Sequence, residues 1–494
     1  MAPESTALSG SHIIKPPALP EVMTEVRVAT RIIYKMMDIM RDLLSQYILI
    51  PIGKEYSRRK YFQAKNYQYF LEKLERGSSK ELIEYQNILI RRMITHAYEY
   101  VPYYKNLFDE QHILPTDINC KDDLKKIPLL TKEILVRNLD NLTATNAKKK
   151  SLRLISTGGT TGTPIRFYRD WESEYLVDGN NWRFYNYCNY RVGMKLAKLW
   201  GNESDLLNSY NFYGKLKGIM ENEIVLNFYD LSEDRLRNYV NTIRERKPIF
   251  WKGFSSAVYT FMRYLRRNNL DIPRPKAVII TSDKIDDYQR KELEEYFDGS
   301  VYNEYGSREF SIMGFECEKH NGIHVGMENA VIEIIPSNEE SGYGEVVVTS
   351  LINWGMPFIR YELGDSSKYI QGDCECGRYL PRLESIRGRV ADFVITKNDK
   401  LIYGDFFAHL FYGSKGIEHY QVIQNEVGKV EIYIEANEYF SKDEINIFLK
   451  TLNDMTGNNL EAKIVNVARI ERHRSGKRRS VISNISKEYI QNIF

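Results

Sequence analysis

Apolar residues recur every three or four positions in the N-terminal part of the chain. Between residues 61 and 141 this spacing holds, with one interruption at Gly77, and it predicts helices. Residues 26–50, VRVATRIIYKMMDIMRDLLSQYILI, show the same spacing, but Arg, Lys and Asp residues interrupt it. Such charges exclude a membrane-spanning helix. They predict an amphipathic helix that packs on the protein body, or lies on a membrane surface or a partner.

The middle of the chain alternates short apolar runs with helical stretches. Strand-like runs are LRLI, KLAKLWG, PKAVIITS and SVYNEYG, and the helical segments include AVYTFMRYLRRN and DYQRKELEEYF. This alternation predicts an α/β body with mainly parallel strands. After Gly322, the runs VIEIIP, GEVVVTSL and FIRYEL show a period of two and are separated by turn residues. They predict a more antiparallel region.

A smaller α+β unit is predicted at the C-terminus. HYQVIQ, VEIYIEA and AKIVNVARI are strand-like, and SKDEINIFLKTLNDMTG is a helix that begins at a capping box of Ser441 and Glu444. We therefore predict an N-terminal extension over residues 1–60, a core domain over 61–387 and a C-terminal domain over 388–494, which are usual domain sizes.

The composition is ordinary for a globular protein, with 43% hydrophobic and 27% charged residues. The 69 Lys and Arg residues nearly balance 66 Asp and Glu residues, a formal net charge of +3, so nucleic acid is not an expected partner. The five cysteines are an odd number and no secretory signal pattern is present, which predicts a cytoplasmic protein. Monomer and dimer both remain open.

A loop rich in glycine and threonine, STGGTTGTP over residues 156–164, follows the strand-like LRLI. Gly158, Gly159 and Gly162 permit positive φ and close approach of backbone N–H groups to an anion. The loop has no lysine and does not match the Walker pattern. Its residues predict either a plain polar turn or a phosphate-binding loop.

Three further motifs carry groups suited to a nucleotide. YGSRE over 305–309 follows a predicted strand, and ligands collect at the carboxyl ends of strands in open α/β sheets. RYELGD over 360–365 ends a predicted strand with a turn-borne aspartate, which suits ribose hydroxyls. RSGKRR over 474–479 places Lys477 in a polar loop, where it suits a developing negative charge. Taken singly, the three are equally typical of a turn, a strand end and a solvated basic loop.

Three cysteines and a histidine predict a metal site. Cys317 precedes His320 and His324, and Cys374 and Cys376 lie in DCECGRY. Three thiolates and one imidazole form a closed tetrahedral zinc site, and we prefer His324 as the fourth ligand. Free structural cysteines are the alternative.

In order along the chain, STGGTTGTP, YGSRE, RYELGD, GRVAD and SGKRR resemble the motifs of adenylate-forming enzymes, the superfamily of acyl-CoA synthetases and adenylation domains. HAYEYVPYYKNLF, IPLLTKEIL and the surroundings of YGSRE look like its phenylacetate–CoA ligase branch, with the related capsular polysaccharide biosynthesis proteins. The similarity runs from about residue 61 to the C-terminus. It implies a large layered α/β adenylate-forming domain with a small, mobile α+β lid domain.

The resemblance implies an enzyme that uses ATP to activate a carboxylic acid. The carboxylate would attack the α-phosphorus, which gives an acyl-adenylate and pyrophosphate. Coenzyme A is the implied acceptor of the acyl group, and the alternative is an amine or sugar of a surface polysaccharide. The implied cofactors are ATP, Mg²⁺, coenzyme A and a structural Zn²⁺, which some members of this branch carry.

The resemblance also implies roles for single residues. Lys477 would stabilise charge on the α-phosphoryl group, and Glu309 would bind Mg²⁺. Asp365 would bind the ribose, Tyr305 would stack near the adenine, and Arg389 would reach the nucleotide from the hinge. The other residues implied to bind ATP are Ser156, Thr157, Gly158, Gly159, Thr160, Thr161, Gly162, Ser282, Gly306 and Ser307. The acid pocket is expected from position to contain Trp200, Gly201, Asn202, Phe254 and Asn303.

The chain departs from the family pattern at two positions. Thr163 stands where a lysine is common, which reduces the positive charge near the phosphates, and Ala391 stands where an acidic hinge residue is usual. A rival hypothesis is a non-catalytic, zinc-stapled scaffold that docks to a membrane through residues 26–50. Glu309, Asp365 and Lys477 argue against it, because a scaffold needs none of them.

Overall fold

The computed structural model describes residues 57–156, 165–200, 222–228, 233–281, 287–336, 342–386, 393–403, 405–411, 414, 416–438, 440–470 and 481–485. The amphipathic helix predicted over 26–50 and the domain boundary predicted at 387/388 lie outside these residues. Within them, no helix combines the length and the apolar character needed to cross a bilayer.

Helices form the N-terminal part of the described chain, as the spacing of apolar residues predicts. They are α1 Ser57–Leu74, α2 Ser79–Tyr100, α3 Pro102–Gln111 and α4 Lys132–Arg137. The interruption at Gly77 separates α1 from α2, and the Ser78 hydroxyl caps α2 by accepting a hydrogen bond from the Glu81 N–H at 3.2 Å. Pro102 stands at the start of α3, where its missing N–H costs nothing.

The largest sheet of the described residues has nine strands in the order β13-β14-β9-β8-β7-β6-β5-β3-β4. Their bounds are β3 Leu196–Trp200, β4 Glu223–Asn227, β5 Phe250–Phe254, β6 Ala277–Thr281, β7 Ser300–Ser307, β8 Ser311–Glu316, β9 Ile323–Val325, β13 Tyr369–Ile370 and β14 Arg382–Leu383. Pairing is parallel from β4 to β7 and antiparallel from β7 onward. The prediction of parallel strands is therefore confirmed for KLAKLWG, PKAVIITS and SVYNEYG, which form β3, β6 and β7, but LRLI lies in an antiparallel hairpin.

Helices cover both faces of this sheet, which makes it a layered α/β structure. They are α5 Glu174–Tyr185, α6 Glu233–Arg246, α7 Ser255–Arg267 and α8 Asp287–Phe297. On one face, Trp251 and Ile280 pack with Phe261 of α7, and on the other, Phe250 and Ile279 pack with Phe184 of α5. The alternation of these strand residues between two cores follows the period of two in a strand.

Two smaller antiparallel units lie beside the N-terminal helices. The first is the hairpin of β1 Leu152–Ser156 and β2 Arg166–Asp170, and the second is the sheet of β10 Ala330–Pro336, β11 Gly344–Ser350 and β12 Tyr361–Ser367. Ile90 and Phe108 of the helices share one core with Val331, Val348 and Phe358. The antiparallel region predicted after Gly322 is confirmed.

The structure corrects the predicted position of Asp365. The sequence predicts a turn after a strand, but Asp365 lies inside β12. Glu345 of β11 pairs with Ser366 of β12, and Val347 pairs with Glu362. One residue of β11 therefore lies opposite three residues of β12. This bulge contains Gly364, whose φ of +86° favours glycine. The bulge therefore removes Asp365 from the ladder without ending the strand.

The C-terminal part forms an α+β unit, as predicted. Its elements are β15 Phe393–Ile395, β16 Leu401–Tyr403, α9 Asp405–Leu410, β17 Ile417–Glu426, β18 Lys429–Ala436, α10 Lys442–Thr456, β19 Glu461–Asn466 and β20 Val481–Ser483. The order β19-β18-β17-β20 forms a four-stranded sheet. The predicted capping box is present at α10, where the Ser441 hydroxyl and the Glu444 carboxylate accept each other's backbone N–H.

Candidate active site and candidate metal centre

The β1–β2 hairpin carries the Gly/Thr-rich loop at its end. Ser156 lies opposite Arg166, so residues 157–165 connect the two strands beyond this pair. The Arg308 guanidinium donates a hydrogen bond to the Ser156 carbonyl at 2.8 Å, and the Arg169 guanidinium donates to the Arg308 carbonyl. The Ser156 hydroxyl is buried and has no hydrogen-bond partner among the described residues. The loop's attachment point is therefore held against the YGSRE motif.

YGSRE forms the turn from β7 into β8. Tyr305 is buried, and its hydroxyl donates a hydrogen bond to the Asp365 carboxylate at 3.1 Å. A Cβ at Gly306 would clash with the Ser311 carbonyl oxygen across the turn, so glycine is required there. The Ser307 hydroxyl accepts a hydrogen bond from the Phe310 N–H at 3.3 Å. The structure thus joins two motifs that are 60 residues apart.

Glu309 lies partly exposed in the same turn. It lines a cavity together with Asp170, Ser173 and Asn353. The Asp170 carboxylate accepts a hydrogen bond from the Ser173 hydroxyl at 2.8 Å, and the backbone N–H of Asp170 donates to the Asn353 side-chain oxygen at 3.1 Å. Two acidic residues, Asp170 and Glu309, therefore line one cavity beside the hairpin.

Two aromatic residues lie at the carboxyl ends of the parallel strands. Trp200 ends β3 and Phe254 ends β5, and their ring centroids are 4.6 Å apart. Phe254 lies opposite Thr281, which in turn lies opposite Glu304, one residue before Tyr305. Asn303 lies one position further back, and its N–H donates to the Glu316 carboxylate at 2.9 Å. The predicted acid-pocket residues of the described chain therefore share one edge of the sheet with Tyr305.

A buried ion pair under this edge was not predicted. Lys252 in β5 donates to both carboxylate oxygens of Glu304 at 2.8 and 2.6 Å, and to the Tyr185 hydroxyl at 2.8 Å. The sequence does contain a signal for it, because a lysine lies inside the apolar run FWKGF and a glutamate inside VYNEY. Charged residues are rarely buried without partners, so two such residues indicate a buried pair. The ion pair ties β5 to β7 across β6.

The candidate metal centre consists of Cys317, His324, Cys374 and Cys376, whose ligand atoms all lie within 4.8 Å of one another. The Cys317 and Cys374 sulfurs are 3.8 Å apart, and the Cys376 sulfur is 3.4 Å from His324 Nε2. His324 Nδ1 lies 3.3 Å from the Leu380 carbonyl oxygen, which can accept a hydrogen bond from an Nδ1–H group. In that tautomer, Nε2 carries no proton and can bind a metal ion.

His320 lies apart from this cluster. Its Nδ1 is 3.0 Å from the Arg290 guanidinium and 3.5 Å from the Glu316 carboxylate. Of the two histidines that the sequence offers, the structure brings His324 to the three cysteines.

The electrostatics of the cluster suit a cation. Burial and the neighbouring thiols raise the pKa of Cys317 to about 12, although the Lys319 N–H opposes this shift. Burial also disfavours the Cys376 thiolate, but hydrogen bonds from His324 and Arg378 outweigh it and lower the pKa of Cys376 to about 5. A metal ion stabilises thiolates directly, so a cation at the centre would let the remaining thiols ionise.

Several predicted site residues lie outside the described residues. Their roles in the site therefore stay predictions. These residues are Thr157, Gly158, Gly159, Thr160, Thr161, Gly162, Gly201, Asn202, Ser282, Arg389 and Lys477.

Comparison with known proteins identifies relatives that match most of the chain. Protein CapK of Staphylococcus aureus is 21% identical over 458 residues, which cover 90% of this chain and 98% of that protein. Phenylacetate-coenzyme A ligase of Thermus thermophilus is 23% identical over 397 residues, covering 76% and 86%, and that of Escherichia coli is 23% identical over 379 residues, covering 73% and 83%.

Solved structures of a 2-hydroxyisobutyryl-CoA ligase share the fold. The complex with 2-HIB-AMP and CoA in the thioesterification state has a TM-score of 0.57 at 18% identity and covers 85% of this chain and 93% of that one. A postadenylation complex has a TM-score of 0.54 at 17% identity, with 85% and 92% covered.

The fold, a large α/β part with a C-terminal unit, resembles that of adenylate-forming enzymes. In sequence, the chain is a homologue of CapK and of the phenylacetate-coenzyme A ligases, and residues 394–484 match the CapK C-terminal domain. The resemblance stated from the motifs is confirmed.

Proposed function

We propose that this chain is an ATP-dependent ligase that activates a carboxylic acid as an acyl-adenylate and transfers the acyl group to coenzyme A. The ligases among its homologues act with coenzyme A, which supports this reaction. The observation that carries the proposal is the hydrogen bond from Tyr305 to Asp365, because it joins two nucleotide motifs beside the attachment point of the Gly/Thr-rich loop.

The reaction has two steps. The substrate carboxylate forms a bond to the α-phosphorus of ATP while the bond to pyrophosphate breaks. The thiolate of coenzyme A then forms a bond to the acyl carbon, and AMP leaves. A closed site is needed between the steps, because water would hydrolyse the mixed anhydride.

The nucleotide would lie across the end of the β1–β2 hairpin and the YGSRE turn. The loop from Ser156 to Gly162 would hold the β- and γ-phosphates by N–H and hydroxyl groups, and the buried, unpartnered Ser156 hydroxyl supports this role. Tyr305 would contact the adenine and Asp365 the ribose hydroxyls. Other predicted nucleotide contacts are Ser282, Gly306, Ser307 and Arg389.

Glu309 would bind the Mg²⁺ that accompanies ATP. Carboxylate oxygens are suitable ligands for this ion, and the cavity that Glu309 lines also contains Asp170. Lys477, on the C-terminal lid, would stabilise the negative charge that develops on the α-phosphoryl oxygens. The C-terminal domain, proposed to span residues 388–494, would move to deliver this lysine.

The acid would bind beside the aromatic pair at the carboxyl edge of the sheet. Trp200, which packs against the buried ring of Phe254, would offer an apolar wall, and Gly201, Asn202 and Asn303 would complete the proposed pocket. These groups fit the acyl part of an acid whose carboxylate points toward Tyr305.

We also propose that Cys317, His324, Cys374 and Cys376 bind one structural Zn²⁺. Zinc–sulfur bonds of about 2.3 Å in a tetrahedron place two sulfurs about 3.8 Å apart. The separation of the Cys317 and Cys374 sulfurs is 3.8 Å. Four protein ligands leave no position for a substrate, so the ion would hold β8, β9 and the β13–β14 connection together. ATP, coenzyme A and reduced thiols together favour the cytoplasm as the location.

A second candidate function is the transfer of the activated acid to an amine or a sugar of a surface polysaccharide. The match to CapK, which extends over 98% of that protein, favours it, as does the CapK C-terminal domain. Both candidates share the adenylation step and differ only in the acceptor.

Mass spectrometry of reactions with ATP, Mg²⁺ and a library of carboxylic acids tests both candidates. With coenzyme A present, we expect one acid to appear as its thioester together with AMP. If the adenylate forms but reacts only with amines or sugars, the second candidate is correct. If no acid consumes ATP, both are wrong.

A further inference from the structure

The outward face of α1 exposes three large aromatic side chains. Phe62 is 50% exposed, Tyr69 is 72% exposed and Phe70 is 39% exposed. Tyr69 and Phe70 lie seven and eight residues after Phe62, which places all three on one side of a helix. We call these three residues the aromatic face.

The opposite side of α1 is firmly packed. Ala64 and Leu71 are fully buried, and α1 packs along α5. At Gly179 of α5, a Cβ would come within 2.7 Å of the Ala64 carbonyl oxygen, so the two helices are in close contact. The orientation of α1 is therefore fixed, and the aromatic face is held toward solvent.

The aromatic face continues onto α2. The rings of Phe70 and Tyr85 make an edge contact with centroids 5.2 Å apart. Ile88, one turn beyond Tyr85, is also exposed. Exposed apolar side chains that lie together indicate an interaction surface, in contrast to isolated ones.

Positive charge is concentrated in the same part of the chain. The helix α1, residues 57–74, contains five Lys and Arg residues but one Glu residue, a formal charge of +4 in a chain whose total is +3. Lys73, one turn beyond Tyr69, is itself exposed. Aromatic rings among basic side chains are typical of surfaces that contact anionic lipids.

We propose that the aromatic face docks α1 on a membrane surface that contains anionic lipids. The rings would lie at the level of the lipid headgroups, and the basic residues would be attracted to the lipid phosphates. A second copy of this positively charged helix, or residues 26–50 with their own excess of positive charge, would be repelled electrostatically. A negatively charged surface is therefore the occupant with complementary charge.

Co-sedimentation of the full chain with lipid vesicles tests the proposal. We expect binding to vesicles made of phosphatidylcholine and phosphatidylglycerol in equal parts, weaker binding to phosphatidylcholine alone, and loss of binding as salt is raised. The double substitution Phe62→Ser and Phe70→Ser should lower the affinity for the mixed vesicles about tenfold or more.

The matched control is Leu114→Ser with Ile447→Ser, which removes apolar side chains that are 59% and 60% exposed elsewhere. It should bind as wild type does, and both double variants should unfold at the wild-type temperature. Binding unchanged by Phe62→Ser and Phe70→Ser would overturn the proposal. So would a dimer that only these two substitutions dissociate, because the face would then bind protein.

Discussion

At the scale of single residues, the contact between Tyr305 and Asp365 defines the candidate nucleotide site. Both residues are predictable from the sequence because each lies in a motif. The bulge that takes Asp365 out of the β12 ladder is not, because RYELGD has the pattern of an ordinary strand end. Only Gly364 indicates an irregular backbone at this point, and a glycine alone does not predict a bulge because glycines occur in many other conformations.

Tyr305→Phe removes this hydrogen bond and keeps the ring. We expect the KM for ATP to rise about tenfold or more, since a hydrogen bond to a charged group contributes about 1.5–3 kcal/mol. The KM for the acid should stay within about twofold of wild type. Steady-state kinetics with each substrate varied checks this.

Tyr98→Phe is the matched control, because the Tyr98 hydroxyl also donates to an aspartate, Asp109, but at the exposed surface. An equal rise in the KM for ATP in both variants would contradict the role given to Tyr305.

The ion pair between Lys252 and Glu304 is the residue-scale feature that the sequence does not reveal. Its members are 52 residues apart and belong to different strands, and a single buried charge in a sequence does not specify its partner. That Lys252 pairs with Glu304 becomes apparent only from the strand order, in which β6 lies between β5 and β7.

Lys252→Met leaves the Glu304 carboxylate buried without its counter-charge. We expect the free energy of unfolding to fall by about 3 kcal/mol or more, and urea denaturation measures it. Lys198→Met, which breaks a partly exposed pair with Glu223 in the same sheet, should cost less than about 1 kcal/mol. Equal losses in the two variants would show that burial of the Lys252 pair has no special cost.

Lys477→Ala tests the residue assigned to charge development at phosphorus. Adenylation should slow about a hundredfold or more, as when a transition-state donor is removed. Thioester formation from chemically prepared acyl-adenylate should continue at the wild-type rate. Equal loss in both half-reactions would contradict the assigned role.

At the scale of elements, strong local signals predict the structure well. The capping box of Ser441 and Glu444 marks the start of α10 because both groups act within one turn. The apolar strands AVIIT and SVYNEYGS are found as β6 and β7. The cysteine cluster is also predictable, because the ligand types limit the chemistry, but the choice of His324 depends on how β9 pairs with β14.

Cys374→Ser should remove the proposed zinc ion, which would join these elements. We expect the metal content to fall from about one ion per chain to near zero, and the unfolding temperature to fall by about 5 °C or more. Elemental analysis and calorimetry measure the two effects. Cys120→Ser, outside the cluster, should keep the metal. A wild-type protein without stoichiometric zinc would refute the proposal.

At the scale of the whole molecule, the candidate site lies where three units meet. The β1–β2 hairpin, the carboxyl edge of the parallel strands and the bulged strand β12 each contribute one motif. The order of these motifs along the sequence indicates the class of protein, since no one of them is specific alone. Their meeting in space requires the sheet order, which short-range patterns do not contain.

The most direct test of the central claim is ATP–pyrophosphate exchange, measured with a panel of carboxylic acids. The account predicts exchange that requires one acid and Mg²⁺, is about a hundredfold slower in Lys477→Ala and is strongly weakened in Asp365→Ala. Exchange with no acid of the panel, together with no detectable binding of ATP, would contradict it.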